Sequence, residues 1–409
     1  MLSAVGPVRS LLLAVFMLMA GSGFLATLLS IRLEAMGVAP LLIGSVATAY
    51  FAGLTIGSMR VFALVQRVGH IRAFTAFLSL YSASALSYAI IDEPIVWAGL
   101  RFVEGFCMAG IFVCVESWLN DRADSKSRGS VLSAYMIALY LGQAAGQFLL
   151  NVSDARPSAP FLAASILLSL AVLPIALTRM RAPTLENARP MPIFDLYRAS
   201  PVGIVGAIAT GVMLGAFYGL GGVYARGMGL ALSDTALFMS AVILGGVLLQ
   251  WPIGRLSDLI DRRKVIAGTM ALTLAVSVWL VLIEGNSAIL LLAGALFGGF
   301  SFSLYPLCVA HSNDHLAEKD RVSASGGLVL AYSVGAAAGP LLGAGAVGLF
   351  GAPGLFMLVG LVALLALGFA IRRMLVAAPV PAPLQGDFQM LPRTAPTAAL
   401  LDADRTDER

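Results

Sequence analysis

The sequence predicts an all-α membrane protein with twelve transmembrane helices, on three grounds: its composition, a regular series of apolar runs, and the placement of its basic residues. Of 409 residues, 59% are hydrophobic and only 12% are charged, with a mean hydropathy of +0.90. A soluble domain carries about 25% charged residues and could not hide this much apolar surface. With lipid as solvent, backbone groups must bond within each segment, which favours helices. A β-barrel would show alternating strands of ~10 residues, and the sequence has none of these.

Apolar runs of about 20 residues, the length that spans a bilayer, fall near 10–33, 41–65, 72–91, 95–119, 127–151, 157–179, 201–226, 234–257, 264–284, 288–311, 323–349 and 353–375. The first resembles a signal peptide, since Arg9 precedes an apolar stretch that ends in small residues. Its counterpart at 201–226 is internal, so we read both as spans. The sixth and seventh runs are joined by the one long internal loop, polar and Pro-containing from Met180 to Ser200. The expected organisation is therefore an N-terminal six-helix bundle over 1–180, a cytoplasmic linker over 181–200 and a C-terminal six-helix bundle over 201–375. The tail at 376–409 is rich in Pro, Ala and Asp, lacks apolar periodicity and is expected to be disordered.

Basic residues test the count. Alternate loops collect Arg9; Arg60, Arg67 and Arg72; Arg122, Lys126 and Arg128; Arg179, Arg181, Arg189 and Arg198; Arg255, Arg262, Arg263 and Lys264; Lys319 and Arg321; and Arg372, Arg373, Arg393, Arg405 and Arg409. These are 22 of the 26 Lys and Arg residues; Arg32, Arg156 and Arg226 fall on the other side and Arg101 lies within a helix. The positive-inside rule then puts both termini in the cytoplasm. The formal charge of +4 thus records topology, and no basic, aromatic-interleaved surface for nucleic acid is present.

The two halves repeat each other. An offset of 193 residues pairs Gly105 with Gly298, Asn120-Asp121 with Asn313-Asp314, Arg128 with Arg321, Gly142 with Gly335 and Gly146 with Gly339. An offset of 192 pairs Gly53 with Gly245, Gln66 with Asp258 and Arg72 with Lys264. Two parallel six-helix repeats about an axis along the membrane normal are one architecture of secondary transporters, with the substrate site between them.

The sharpest local motif is GRLSDLIDRRK, from Gly254 to Lys264. It resembles the cytoplasmic-loop signature of the major facilitator superfamily, Gly-x-Leu-x-Asp-Arg-x-Gly-Arg-Arg. The first-half loop, QRVGHIR from Gln66 to Arg72, departs from it, with Gln66 where the family has Asp. RFVEGFCMAG, from Arg101 to Gly110, is similar to the family's Arg-x-x-x-Gly pattern. VESW at 115–118, QWPIGRLSD at 250–258 and SLYP at 303–306 resemble its YcaD-like bacterial branch. The resemblance implies the major facilitator fold, a multi-pass place in the bacterial cell inner membrane, and no cofactor. It also implies a cytoplasmic gate drawn from Arg67, Arg72, Glu116, Arg128, Gly254, Asp258, Arg262, Arg263 and Arg321. The bland alternative for these charges is positive-inside anchoring.

Arg101 lies inside the fourth segment, where an ionisable group is costly and needs a partner or a wet cavity. Glu104 is one turn away on the same face. The pair either neutralises itself or exchanges a proton as substrate comes and goes. Gly142-x-x-x-Gly146 and Gly335-x-x-x-Gly339-Pro340 let helices approach closely. The family's antiporters carry Gly-Pro in the fifth helix where this chain has Gln147, which argues against that subclass.

Few other polar or aromatic residues stand near mid-depth. Tyr50, Tyr140, Gln143, Tyr218, Tyr305 and Tyr332, with Arg101 and Glu104, are the candidates for substrate and proton coupling; Tyr135 belongs to the same set by depth. Each tyrosine alone reads as packing, but together they describe an amphipathic pocket with one fixed positive group. A small organic anion, a zwitterion or a mixed apolar-polar compound suits it. We therefore expect a monomeric secondary transporter with a proton as coupling ion and a small molecule and the lipid bilayer as partners. Efflux of apolar drugs is the rival within transport, and a solute sensor without flux is the rival outside it.

No phosphate-binding Gly-x-x-x-x-Gly-Lys-Ser/Thr loop is present, and no nucleophile, base and orienting group share a plausible spacing for an enzyme. Cys107, Cys114 and Cys308 read as core residues, since the first two are about 10 Å apart along a helix. His311 and His315 share a helical face but lack a ligand cage, so no metal site is expected.

Overall fold

A computed structural model describes residues 8–122, 128–154, 156–178, 190–283, 287–317 and 320–376, together with 378, 380, 385–386 and 388–389. Helices account for nearly all of the ordered elements: α1 (Arg9–Ser22), α2 (Leu25–Ala35), α3 (Pro40–Val68), α4 (His70–Ser87), α5 (Pro94–Arg122), α6 (Arg128–Gln147), α7 (Ala159–Leu170), α8 (Leu173–Ala176), α9 (Ile193–Ala199), α10 (Pro201–Gly227), α11 (Leu232–Leu259), α12 (Arg262–Leu282), α13 (Ser287–Asn313), α14 (Arg321–Phe350) and α15 (Gly354–Val376). Counting α1–α2 and α7–α8 as one rod each and leaving out the short α9, these make the twelve expected rods. Ten of the rods are long and apolar enough to cross a membrane on their own; α4 and α6 fall short of that standard and run among the others.

Chain punctuation explains most boundaries. Pro begins α3, α5 and α10, where a missing N–H costs nothing. Gly69 links α3 to α4 at φ +87°, a conformation that glycine takes without strain. The side chain of Asp261 caps α12 by accepting a hydrogen bond from the Arg263 backbone N–H at 3.0 Å.

Two expected spans are not continuous. The first is interrupted at Gly23–Phe24, and the second apolar run of the pair, 157–179, breaks after Leu170, where Pro174 cannot donate to the ladder. Part of the linker at 181–200 is also ordered. The backbone N–H of Met191 donates to the Ser323 carbonyl at 2.8 Å, and α9 follows it; residues 181–189 lie outside the described residues.

The sequence repeat is a packing repeat. In the first half Gly53 on α3 lies against the Phe102 carbonyl of α5, and Gly105 on α5 lies against the Tyr50 carbonyl of α3. The same reciprocal contact recurs in the second half, Gly245 of α11 against Ala295 and Gly298 of α13 against Val242. At all four positions a Cβ would run into neighbouring backbone, so α3–α5 and α11–α13 cross at the closest spacing helices allow.

The halves meet along α3–α14, α2–α10 and α6–α11. Hydrogen bonds join them from Thr48 Oγ1 to the Ala337 carbonyl at 2.9 Å and from Ser240 Oγ to the Ala144 carbonyl at 2.9 Å. Gly44 rests on the Pro340 backbone, and Gly222 on Thr27 and Ile31. All of these lie toward the end where α3 and α11 begin and α6 and α14 finish. The other end gathers the basic residues of the loops at Arg67–Arg72 and Arg262–Lys264 and is called the basic end below.

Candidate functional site

Between the halves lies a cavity of about 140 Å³. Its wall is drawn from both: Tyr50, Tyr81, Arg101, Tyr140 and Gln143 from the first half, and Tyr218 and Tyr332 from the second. Six of the eight candidate coupling residues therefore reach one space. Helical spacing accounts for this, because Tyr140 and Gln143 are three apart on α6 and share a face.

Arg101 is the one charged residue on that wall. Its guanidinium donates to Glu104 Oε2 at 2.7 Å and stacks on the Tyr50 ring, 4.2 Å from the centroid. Glu104 is fully buried behind it. The Tyr88 hydroxyl stands close to the same carboxylate, whose Oε2 is taken by Arg101. Burying a carboxylate is costly unless it is paired and hydrogen-bonded, and Arg101 supplies the pair.

The expectation for Glu104 and Tyr305 needs correcting in one respect: neither lines the cavity. Glu104 touches the wall through its ion pair with Arg101. Tyr305 packs behind Tyr332, ring centroids 5.3 Å apart, and is 1% exposed. Tyr135 is likewise remote, donating from its hydroxyl to Glu116 Oε1 at 3.2 Å near the basic end. Sequence reasoning missed Tyr81, which lines the cavity from α4, and Phe302, whose ring lies 5.7 Å from Tyr140 and 6.1 Å from Tyr218 and so joins the two halves. Nothing in the local sequence marks Phe302, an aromatic residue in a largely apolar helix.

The gate candidates divide by half. In the second, Arg262 is 1% exposed and donates to Asp314 Oδ2 at 2.6 Å and Asp258 Oδ1 at 3.1 Å. Arg263 pairs with Asp261 at 3.0 Å. Burial pushes the Asp314 carboxyl above its ordinary range against the opposing pull of Arg262. Burial also works to raise Asp261, but Arg263's hydrogen bonds and charge outweigh it and hold that carboxyl low. In the first half Arg67 and Arg72 are exposed. Glu116 is fully buried against Tyr135, Arg321 keeps a buried Nε without a partner, and the side chain of Arg128 lies outside the described residues.

Gly254 has a neighbour that the sequence did not foretell. The Phe388 ring lies on it, the Phe388 backbone N–H donates to Asp258 Oδ1 at 2.8 Å, and the Gly386 N–H donates to Asp314 Oδ1 at 3.0 Å. Arg262 Nη2 donates to the Gly386 carbonyl at 2.7 Å. This part of 376–409 is docked, in contrast to the disorder expected for the whole tail.

His311 and His315 meet edge to face with centroids 4.6 Å apart, and a ring nitrogen of His315 lies 2.8 Å from the His311 carbonyl. Cys107, Cys114 and Cys308 are buried free thiols.

Two six-helix repeats around a central cavity with one buried ion pair define a multi-pass membrane protein of the solute-transporter class. The family model of the Major Facilitator Superfamily matches residues 11–251 and, again, 204–401, and the chain belongs to that family. It is 30% identical over 343 residues to the MFS-type transporter YcaD of Escherichia fergusonii, covering 82% of this chain and 87% of that one. The YcaD of Salmonella enteritidis PT4 matches at the same identity and coverage. Among solved structures, the nucleoside transporter NupG superposes with a TM-score of 0.76 at 11% identity, over 89% of this chain and 98% of that one. A bacterial homologue of the human lysosomal transporter Spinster, inward-facing and occupied, superposes with a TM-score of 0.75 at 11% identity, over 93% and 97%. At such identities these likenesses speak to the fold.

Proposed function

We propose that this chain moves a small organic solute, best fitted by an organic anion, together with a proton across the bacterial inner membrane by alternating access. Residues 1–180 and 201–375 are the two halves that rock, joined by 181–200, with both termini cytoplasmic and one chain as the working unit. On that orientation the basic end is cytoplasmic, and closure at the opposite end makes this an inward-facing arrangement.

One observation carries the reading: a single cation on the cavity wall, paired with a carboxylate hidden behind it. The Arg101–Glu104 pair is neutral as it stands. An anion arriving at Arg101 would leave the site net negative in a medium of low dielectric, which is costly. A proton taken by Glu104 removes that charge and frees the guanidinium for the incoming carboxylate or phosphate, whose fork geometry it matches. Binding of anion and proton are then linked. A cavity of about 140 Å³ is close to the ~150 Å³ that admits one benzene ring, which favours a small cargo over a bulky drug. Arg67, Arg72, Glu116, Arg128, Gly254, Asp258, Arg262, Arg263 and Arg321 then serve the gate at the basic end.

The test is flux in liposomes loaded with a pH-sensitive dye, challenged with organic acids, amino acids and cationic drugs. Organic acids should drive proton uptake, and Glu104→Gln should abolish it while leaving anion binding in place. Proton movement driven only by cationic drugs would replace this reading with drug efflux. Ligand binding without flux in the parent protein would replace it with a sensor.

A further inference from the structure

The docked part of the tail occupies a built site. Arg262, 1% exposed, stands between Asp258 and Asp314 and turns one amino group to the Gly386 carbonyl. The two carboxylates spend their remaining capacity on backbone N–H groups of Gly386 and Phe388, and the Phe388 ring fills the flat surface left by Gly254. Three of these contacts use tail backbone and one uses a side chain. That division is typical of peptide recognition, with the main chain supplying affinity and a pocket supplying specificity.

The place of this cradle on α11 gives it a consequence. Ser240, near the start of α11, bonds α6 of the other half. Asp258 comes eighteen residues later, which is five full turns and about 27 Å along the same face. Gly254 lies one turn before it. The face of α11 that meets α6 at one end is therefore covered by the chain's own tail at the other. Helix α6 runs antiparallel to α11, and from Ala144 back to Arg128 it covers sixteen residues, about 24 Å. Bringing the basic end together would carry the start of α6 onto the cradle. Asp258 Oδ1 already accepts from both Arg262 and Phe388, so the two occupants compete for one site.

We propose that the Gly254–Asp258–Arg262–Asp314 cradle is a receptor for Gly386 and Phe388 of the chain's own tail, and that the docked tail holds the basic ends of the two halves apart until it is released. The tail is thus a ligand of one conformational state and can shift the balance only by its differential affinity for that state.

Spin labels at Gln66→Cys and Lys264→Cys, both exposed basic-end positions in opposite halves, report the separation by pulsed electron paramagnetic resonance. The full chain should give a predominantly long distance. Removal of residues 377–409 should raise the short-distance population at least threefold, and so should Phe388→Ala in the full chain. Phe388→Ala keeps the test in force if the truncated chain fails to fold. Matching distance distributions for the full chain and Phe388→Ala would overturn the proposal.

Discussion

The two loops that the repeat makes equivalent are built from different chemistry. In the second half Arg262 and Asp314 form a buried ion pair that the partly exposed Asp258 joins. The same offsets place Gln66, His70 and Asp121 in the first half. There Gln66 is exposed, and His70 is buried against Trp118 with ring centroids 5.8 Å apart, as is Phe74 at 5.8 Å. One half secures its loop with charge and the other with aromatic packing. The fold tolerates either, because both positions have only to anchor a helix end. The charged version sets two carboxylates, Asp258 and Asp314, around one guanidinium, and that is where the tail docks.

The largest predicted difference concerns the central residue of each cluster. Arg262→Ala strands the buried Asp314 carboxylate and leaves the partly exposed Asp258 unpaired, and losing one partner of a buried pair costs about 3–5 kcal/mol. His70→Ala loses mainly an aromatic contact worth about 1 kcal/mol. Thermal unfolding in detergent should rank the two far apart, and equal losses would erase the contrast drawn here.

Next come the glycines, where the halves should behave alike. Gly105→Ala and Gly298→Ala each force a Cβ into facing backbone, an overpacking penalty of about 1–3 kcal/mol. The same melting experiment should show the two losses within about 0.5 kcal/mol of each other. A large asymmetry would mean that one crossing can relax and the other cannot.

The smallest effect concerns the cap on α12. Asp261→Ala removes a side-chain acceptor for the Arg263 N–H, a loss of about 1 kcal/mol. The folded-state value of this carboxyl lies below its ordinary range, so its contribution is present above the unfolded value of about 4 and fades as pH falls through the folded one. The stability gap between parent and variant should therefore be constant near neutral pH and shrink below about pH 4. A gap that persists in acid would assign the cap to packing.

The fold was legible in the sequence because it rests on long-range regularities: apolar runs of bilayer length, alternating basic loops, and glycines repeated at one offset. Each has one physical meaning, and the reciprocal contacts of Gly53, Gly105, Gly245 and Gly298 are the repeat seen in space. The cavity was legible in part. Arg101 announced itself as a charge where charge is costly, and the tyrosines as hydroxyls in hydrocarbon. Tyr81 carries the same hydroxyl signal as the other tyrosines; Phe302 carries none, since an aromatic residue in an apolar helix packs as readily as it lines a site. Tyr305 had the same signal as Tyr332 but faces behind it, a difference of helix rotation that composition does not encode. The docked tail was hidden for a related reason: its contacts are made largely by backbone, which looks the same in every sequence.

The break in the first span has a mechanical meaning. The Gly23 carbonyl, which an unbroken helix would spend on its own next turn, instead accepts from Gln147 Nε2 of α6 at 2.9 Å. A rung of one ladder is thus supplied by another. Straightening α1–α2 would return the Gly23 carbonyl to its own next turn and requires α6 to let go, while moving α6 takes the Gln147 donor from that carbonyl. The two helices are geared to each other, and because α6 also bears on α11 through Ala144 and Ser240, a bend beside the cavity is transmitted across the boundary between the halves.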